Sequence, residues 1–185
     1  MLRLIQSILN GLKTTKKTQK SRFFTELHEE THFPHTKLNH LGYNKAKIIK
    51  QLKTHEGEKL IVYKCTAGKL TIGIGRNLEA RGISKEESAI MLSNDIRQVA
   101  DDLVMKIPWF NELDDVRKRV LIDMAFNLGT FGLMQFKTTL QQVSEGKYDQ
   151  ASKSMLNSKW AKQVGQRAQT LSIMMSTGCD PEFLW

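Results

Sequence analysis

Cysteine is nearly missing from this 185-residue chain, which holds only Cys65 and Cys179. Two cysteines cannot build a disulfide framework, although one bridge is formally available. They read as two free thiols in a protein made in a reducing compartment. Long apolar runs are missing too. No stretch reaches about 18 apolar residues, so no membrane-spanning helix is expected. At the N-terminus the apolar positions are interrupted by Arg3, Gln6, Ser7 and Asn10. A secretory signal needs a continuous apolar block and a small-residue cleavage site, so none is expected. Internal repeats and low-complexity tracts are likewise lacking. Acidic charge is in deficit: 28 Lys+Arg stand against 19 Asp+Glu, a formal net charge of +9. At 40% hydrophobic and 25% charged residues, the mix is that of an ordinary globular domain. It excludes a fully disordered chain or a collagen. The basic surplus points to a polyanionic partner: nucleic acid, anionic membrane or an acidic cell wall. Trp109, Trp160 and Trp185 are not interleaved with basic clusters. A base-stacking surface needs that interleaving, so no nucleic-acid partner is expected.

The charge is unevenly placed. Residues 1–45 hold 8 Lys/Arg and 3 Asp/Glu, so the first quarter carries more than half of the excess. Within it Leu2, Ile5, Ile8, Leu9 and Leu12 recur at helical spacing, which predicts a short amphipathic helix. Five basic residues and no acid follow between Lys13 and Arg22. This segment reads either as a solvated tail or as an anchor to anionic membrane or lipopolysaccharide through residues 1–22. The predicted organisation is therefore a basic extension over 1–45 and a folded domain over 46–185.

Ala46, Ile48, Ile49, Leu52 and Lys53 predict a helix that runs to His55-Glu56 and ends at Gly57. Leu60–Tyr63 and Leu70–Ile74 are rich in β-formers and flank Thr66-Ala67-Gly68-Lys69, a predicted β-hairpin. Arg76–Ser84 reads as a short connection. Ser84-x-x-Glu87 is a capping box, with Ile83 where a hydrophobic staple would begin. The helix it opens is predicted to end before Pro108. One strong apolar face follows from Val116 to Leu128, stopped by Gly129. Further helices are predicted over Gly132–Val143, Tyr148–Leu156 and Trp160–Ser176, punctuated by Gly146 and Gly178. The fold class is α+β and mostly α: a small αβ lobe with a β-hairpin, and a larger helical lobe. A cleft between two lobes suits an extended substrate.

Two patterns suggest chemistry. His28-Glu29-Glu30-Thr31-His32 matches H-E-x-x-H, in which two histidines share a helix face and Glu29 would act as base. Glu56 is one candidate for the third ligand. Pro34 follows almost at once and disfavours a continuing helix, so a plain surface helix is the preferred reading. No metal or other cofactor is expected. The second pattern is Glu56-x8-Cys65-x5-Thr71. A tight turn puts Cys65 and Thr71 on one small sheet, and a helix ending at Glu56 can aim a carboxyl over it. A hydrolytic site needs that set: an acid for the leaving group and polar side chains to hold a water. Inverting glycosidases keep the two groups ~6.5–9.5 Å apart to leave room for the water.

At this point the sequence resembles the phage-type lysozymes, glycoside hydrolases of tailed bacteriophages. The resemblance covers roughly residues 46–185. It is carried by His55-Glu56-Gly57, Tyr63-Lys64-Cys65-Thr66-Ala67-Gly68 and Leu70-Thr71-Ile72-Gly73-Ile74-Gly75-Arg76-Asn77. Farther on it is carried by Ala125-Phe126-Asn127-Leu128-Gly129, Ser158-Lys159-Trp160, Gln163-Val164-Gly165-Gln166-Arg167-Ala168 and Thr177-Gly178. It implies a lysozyme-like fold and a muramidase that cuts between N-acetylmuramic acid and N-acetylglucosamine in peptidoglycan. Glu56 then matches the general acid, and Thr71 the threonine that helps to position water. Phe126 and Asn127 fall where the family lines its cleft, and Arg167 matches an arginine near the catalytic glutamate. For Phe126, simple core packing is an equal alternative. Arg76 stands where several members have histidine.

Cys65 is the main departure, because the best-known members have Asp there. An ordinary thiol, pKa ~8.5, is mostly neutral at pH 7 unless its surroundings lower it. Lys64 and Lys69 would push that way if close. Cys65 has three open roles: to orient or deprotonate water, to attack the anomeric carbon as thiolate, or to do little. The first is preferred. The resemblance further implies a monomer that waits in the host cytoplasm until release and acts on the wall in the periplasm; a virion-associated lysin is the second choice. The competing functions are a lytic transglycosylase using Glu56 alone, and a non-catalytic basic protein that binds wall or nucleic acid.

Overall fold

The computed structural model of the chain describes residues 42–182. The predicted amphipathic helix, the basic run after it and the H-E-x-x-H pattern lie outside the described residues. The described chain forms two compact units, one ending at Gly82 and the next beginning at Ile83. It is α+β and mostly helical, with one small antiparallel sheet.

The first unit opens with helix α1, Lys45–Glu56. Asn44 caps it by accepting from the Lys47 amide at 3.0 Å, and Gly57, at φ 70°, closes its last turn. Strands β1, Lys59–Lys64, and β2, Leu70–Gly73, pair antiparallel, with Tyr63 opposite Thr71 and Lys64 opposite Leu70. The ladder is irregular between Lys59 and Tyr63. The connection after Gly75 differs from expectation. It holds a third strand, β3, Arg76–Asn77, and one helical turn, α2, Leu78–Arg81. Asn77 makes this possible, because its side chain accepts from the Ala80 amide at 2.9 Å and starts the turn.

In the second unit helix α3 spans Lys85–Lys106, opened by the predicted capping box. The Glu87 amide donates to Ser84 Oγ at 3.2 Å, and the Ser84 amide donates to Glu87 Oε2 at 2.8 Å. No staple forms from Ile83, which stays 47% exposed, because the facing position is the polar Ser88. A 3-10 turn over Phe110–Glu112 leads to α4, Asp115–Met134. Gly129 breaks α4 at φ 72° and ψ 153°, but helix resumes beyond it. The remaining helices are α5, Lys137–Ser144; α6, Tyr148–Leu156; α7, Lys159–Val164; and α8, Gln166–Thr177. Two single helices were expected here and each is divided. The first breaks at Gln135–Phe136, between α4 and α5. The second breaks at Gly165, whose φ of 57° lies in the left-handed region that disfavours other residues.

The apolar core lies wholly in the second unit. Leu103, Leu121, Met124, Leu133, Met155 and Met175 are fully buried there. Phe136 meets Trp160 edge to face, with ring centroids 6.0 Å apart. Each fully buried side chain of this size contributes about 1.5–3 kcal/mol. Among the described residues before Leu103, only Thr71 is buried.

Candidate active site

The site is built on the hairpin and the end of α1. The turn after β1 is closed by two backbone bonds. The Cys65 amide donates to the Lys69 carbonyl at 3.0 Å, and the Gly68 amide to the Cys65 carbonyl at 2.8 Å. Gly68, at φ 75°, takes the left-handed position that such three-residue hairpin loops require. Cys65, directly after β1, and Thr71, on β2, are thereby held on the same hairpin. Thr71 is only 3% exposed, and its hydroxyl donates to the Lys69 carbonyl at 3.0 Å. It also acts, more weakly, on the Cys65 thiol. A hydroxyl has a single proton. While the thiol is neutral, Thr71 can give that proton to Lys69 and accept from sulfur; once the thiol ionises, Thr71 can donate to it.

The thiol of Cys65 is held below its ordinary pKa. The largest cause is the backbone amide of Lys69, then that of Ala67, with a smaller contribution from Thr71; these outweigh desolvation. Lysine charge, expected to contribute only if close, is not among these causes. The Lys69 ammonium is engaged elsewhere, 3.1 Å from Glu79 Oε2.

Glu56 is the last residue of α1 and is exposed. Its carboxyl rests against the loop after β2. A Cβ placed on Gly75 would stand 3.6 Å from Glu56 Oε2, and Gly75 has φ 74°. Glycine thus suits this position through its positive φ, since a Cβ there would make only ordinary contact with the carboxyl. Arg76, next along, donates through Nη1 to the Gly82 carbonyl at 3.2 Å. Three of the six expected site residues, Glu56, Cys65 and Thr71, therefore share the first unit.

The other three lie in the second unit, each with its own setting. Phe126 is 43% exposed, so it is a surface side chain of α4 and not a core one. Asn127 is exposed, and its Oδ1 accepts from the indole N–H of the buried Trp160 at 2.9 Å. Arg167, on α8, donates through Nε to Asp123 Oδ1 at 2.8 Å and through Nη2 to the Asp123 carbonyl at 3.3 Å. Sequence reasoning missed Asp123, which lies 44 residues away within an apolar helical stretch. It also missed Glu79, whose one cue is the Asn77 cap that folds its short helix. Both cysteines are free thiols; Cys179 is exposed, and its amide donates to Thr177 Oγ1 at 3.1 Å. No group of three potential metal ligands occurs among the described residues.

Comparison with known proteins gives this arrangement a family. The phage lysozyme family pattern matches residues 53–173. The chain is 30% identical over 163 residues to "Probable T4-type lysozyme 1" of Dictyostelium discoideum, covering 72% of this chain and 95% of that protein. It is 31% identical over 116 residues to "Endolysin" of Acyrthosiphon pisum secondary endosymbiont phage 1, covering 60% of this chain and 75% of that one. A match at 27% identity to "Pre-baseplate central spike protein Gp5" of Enterobacteria phage T4 covers 71% of this chain but 28% of that protein. With the hairpin, the helical unit and these relatives in agreement, the chain belongs to the phage lysozyme family and is a lysozyme, a hydrolase.

Proposed function

We propose that this lysozyme, which lyses peptidoglycan, hydrolyses the β-1,4 bond between N-acetylmuramic acid and N-acetylglucosamine. Glu56 is the general acid, and Cys65 and Thr71 position the attacking water. The Glu56 proton goes to the glycosidic oxygen as the bond from C1 to that oxygen breaks. Water attacks C1 and its proton passes to the Cys65 thiolate. Solvent then returns both groups to their starting states. Water attack in one step inverts the configuration at C1. Phe126, Asn127 and Arg167 are read as substrate contacts. The supporting observation is that the buried Thr71 hydroxyl and the Cys65 amide share the Lys69 carbonyl, beside a thiol that backbone amides bias toward its thiolate.

The test is product chemistry on purified peptidoglycan with wild type, Glu56→Gln and Cys65→Ser. Hydrolysis leaves a reducing muramic acid of inverted configuration. Loss of the acid in Glu56→Gln lowers the rate by at least ~100-fold. A lytic transglycosylase needs one acid/base glutamate and no second carboxylate, and the thiol at position 65 supplies none. A 1,6-anhydro product end would establish that second reading. Retention at C1 would instead assign the thiolate as nucleophile.

In the phage cycle the protein is read as an endolysin, held in the host cytoplasm until released to the periplasmic wall; action from the virion is the alternative. It is read as a monomer that finds its polyanionic wall through its basic surplus. Residues 1–22, outside the described residues, are read as the portion able to meet anionic membrane or lipopolysaccharide. Unchanged liposome binding after their deletion would end that reading.

A further inference from the structure

Glu79, on the short helix α2, divides its carboxylate between two neighbouring residues of the hairpin. Oε1 accepts from the Leu70 amide at 3.2 Å, and Oε2 lies 3.1 Å from the Lys69 ammonium. Strand β3 reaches only far enough to pair Asn77 with Thr71 and Arg76 with Ile72. The carboxylate therefore accepts from Leu70 one position beyond the last paired residue, where a longer strand would have continued. The segment it grips is the one that holds the proposed chemistry. The Lys69 carbonyl accepts from both the Cys65 amide and the Thr71 hydroxyl, each at 3.0 Å. The Lys69 amide is the main donor acting on the Cys65 thiol.

We propose that Glu79 is a positioning residue: it pins Lys69–Leu70 from outside the hairpin, so that the backbone there keeps the Cys65 thiol and the Thr71 hydroxyl in place. This rests on the catalytic reading of Cys65 and Thr71 given above. The ion pair with Lys69 is not what holds the segment. Both partners are about half exposed, and a pair so solvated is worth little. A charged acceptor on a backbone amide is the stronger contact. Other charged and titratable groups on the surrounding elements are Lys64 beside Cys65, Lys59 and the Tyr63 phenol on β1, Arg76 on β3, Arg81 on α2, and His55 and Glu56 at the end of α1.

Alkylation of Cys65 by iodoacetamide as a function of pH tests the idea. Cys179→Ser leaves Cys65 as the sole thiol. Lys69→Met removes a cation that would otherwise be freed when its partner is lost, and it leaves the backbone amide in place. In this background Glu79→Gln keeps an acceptor for Leu70, and Glu79→Ala removes it. The alkylation midpoint of Glu79→Gln is expected to stay with the parent. That of Glu79→Ala is expected to move up toward the ordinary thiol value, slowing alkylation at neutral pH about fivefold. The high-pH plateau is expected to stay unchanged. Turnover falls in Glu79→Ala with KM unmoved. A Glu79→Ala profile that superimposes on the parent overturns the proposal, and so does a Glu79→Gln shift as large as that of Glu79→Ala. If Glu79→Ala does not fold, Glu79→Asp, one methylene too short to reach the Leu70 amide, gives the same comparison. Full activity of Cys65→Ala would defeat the catalytic reading alone, because the titration still decides whether Glu79 holds the thiol.

Discussion

At the residue scale, the thiol of Cys65 is the distinctive part of the site. Its proton is weakened by amides of the turn, not by lysine charge, so the effect belongs to the hairpin's shape. A base that must ionise leaves a mark on the pH profile. With its pKa lowered, the thiol ionises earlier than a free cysteine would, and activity climbs with pH through that ionisation. Cys65→Asp places a group of ordinary pKa ~3.9 there in place of one near ~8.5. Its rising limb is expected to move to markedly lower pH in initial-rate measurements on soluble wall fragments. A limb that does not move would mean that the thiol acts without ionising. Cys65→Ser keeps the size and loses the proposed base, and should cost about 100-fold in turnover.

At the level of elements, one arginine joins two helices. Arg117, in the first turn of α4, donates through Nε to the Met175 carbonyl at 2.9 Å and through Nη2 to the Ser176 carbonyl at 3.0 Å. These are carbonyls in the last turn of α8, which has no intrahelical donors for them. The same guanidinium pairs with Asp114 at 2.6 Å and lies 3.6 Å over the Tyr148 ring. Lysine cannot reproduce this planar fork. Arg117→Lys is expected to destabilise the helical unit by about 2 kcal/mol, read by urea denaturation. Gly178 belongs to the same arrangement, since a Cβ there would fall 2.6 Å from Arg117 Nη1.

Elements of this kind were legible unevenly. The hairpin could be read because its strands are rich in β-formers and Gly68 marks the turn. The start of α3 could be read because Ser84 and Glu87 form a capping box. The break at Gly165 could not, because the apolar spacing of Trp160, Ala161, Ala168 and Leu171 runs on across it, as one helix would. Strand β3 and helix α2 are too short to show any period. Among the proposed site residues, Glu56, Cys65 and Thr71 were singled out by their spacing. Glu79 did not, because it acts through a backbone amide whose direction only the fold supplies. Arg167 was legible as a position, but its partner Asp123 was not.

At the scale of the whole molecule, the net charge of +9 bears on binding to a polyanionic wall. Such attraction between exposed charges is screened over about 10 Å at 0.1 M salt and about 3 Å at 1 M. Lysis of intact walls is expected to slow several-fold between low and high salt in turbidity assays. Cleavage of a short uncharged oligosaccharide should change little. Equal salt sensitivity for both substrates would place the effect within the catalytic unit itself.

The two units also differ in what protects them. Thr71 is the sole buried residue of the first unit among those described, while Leu60 and Ile61 on β1 are 81% and 82% exposed. Backbone amides of α1 and the hairpin therefore open at little cost, whereas those around Met124 and Met175 open only with the whole helical unit. Hydrogen exchange should be fast through residues 45–82 and slow in the cores of α4 and α8. The proposed acid, thiol and hydroxyl all lie in the fast-exchanging part. Warming should thus extinguish lytic activity reversibly, several degrees before the helical circular dichroism melts, and the enzyme's working temperature would be set by its hairpin and not by its core.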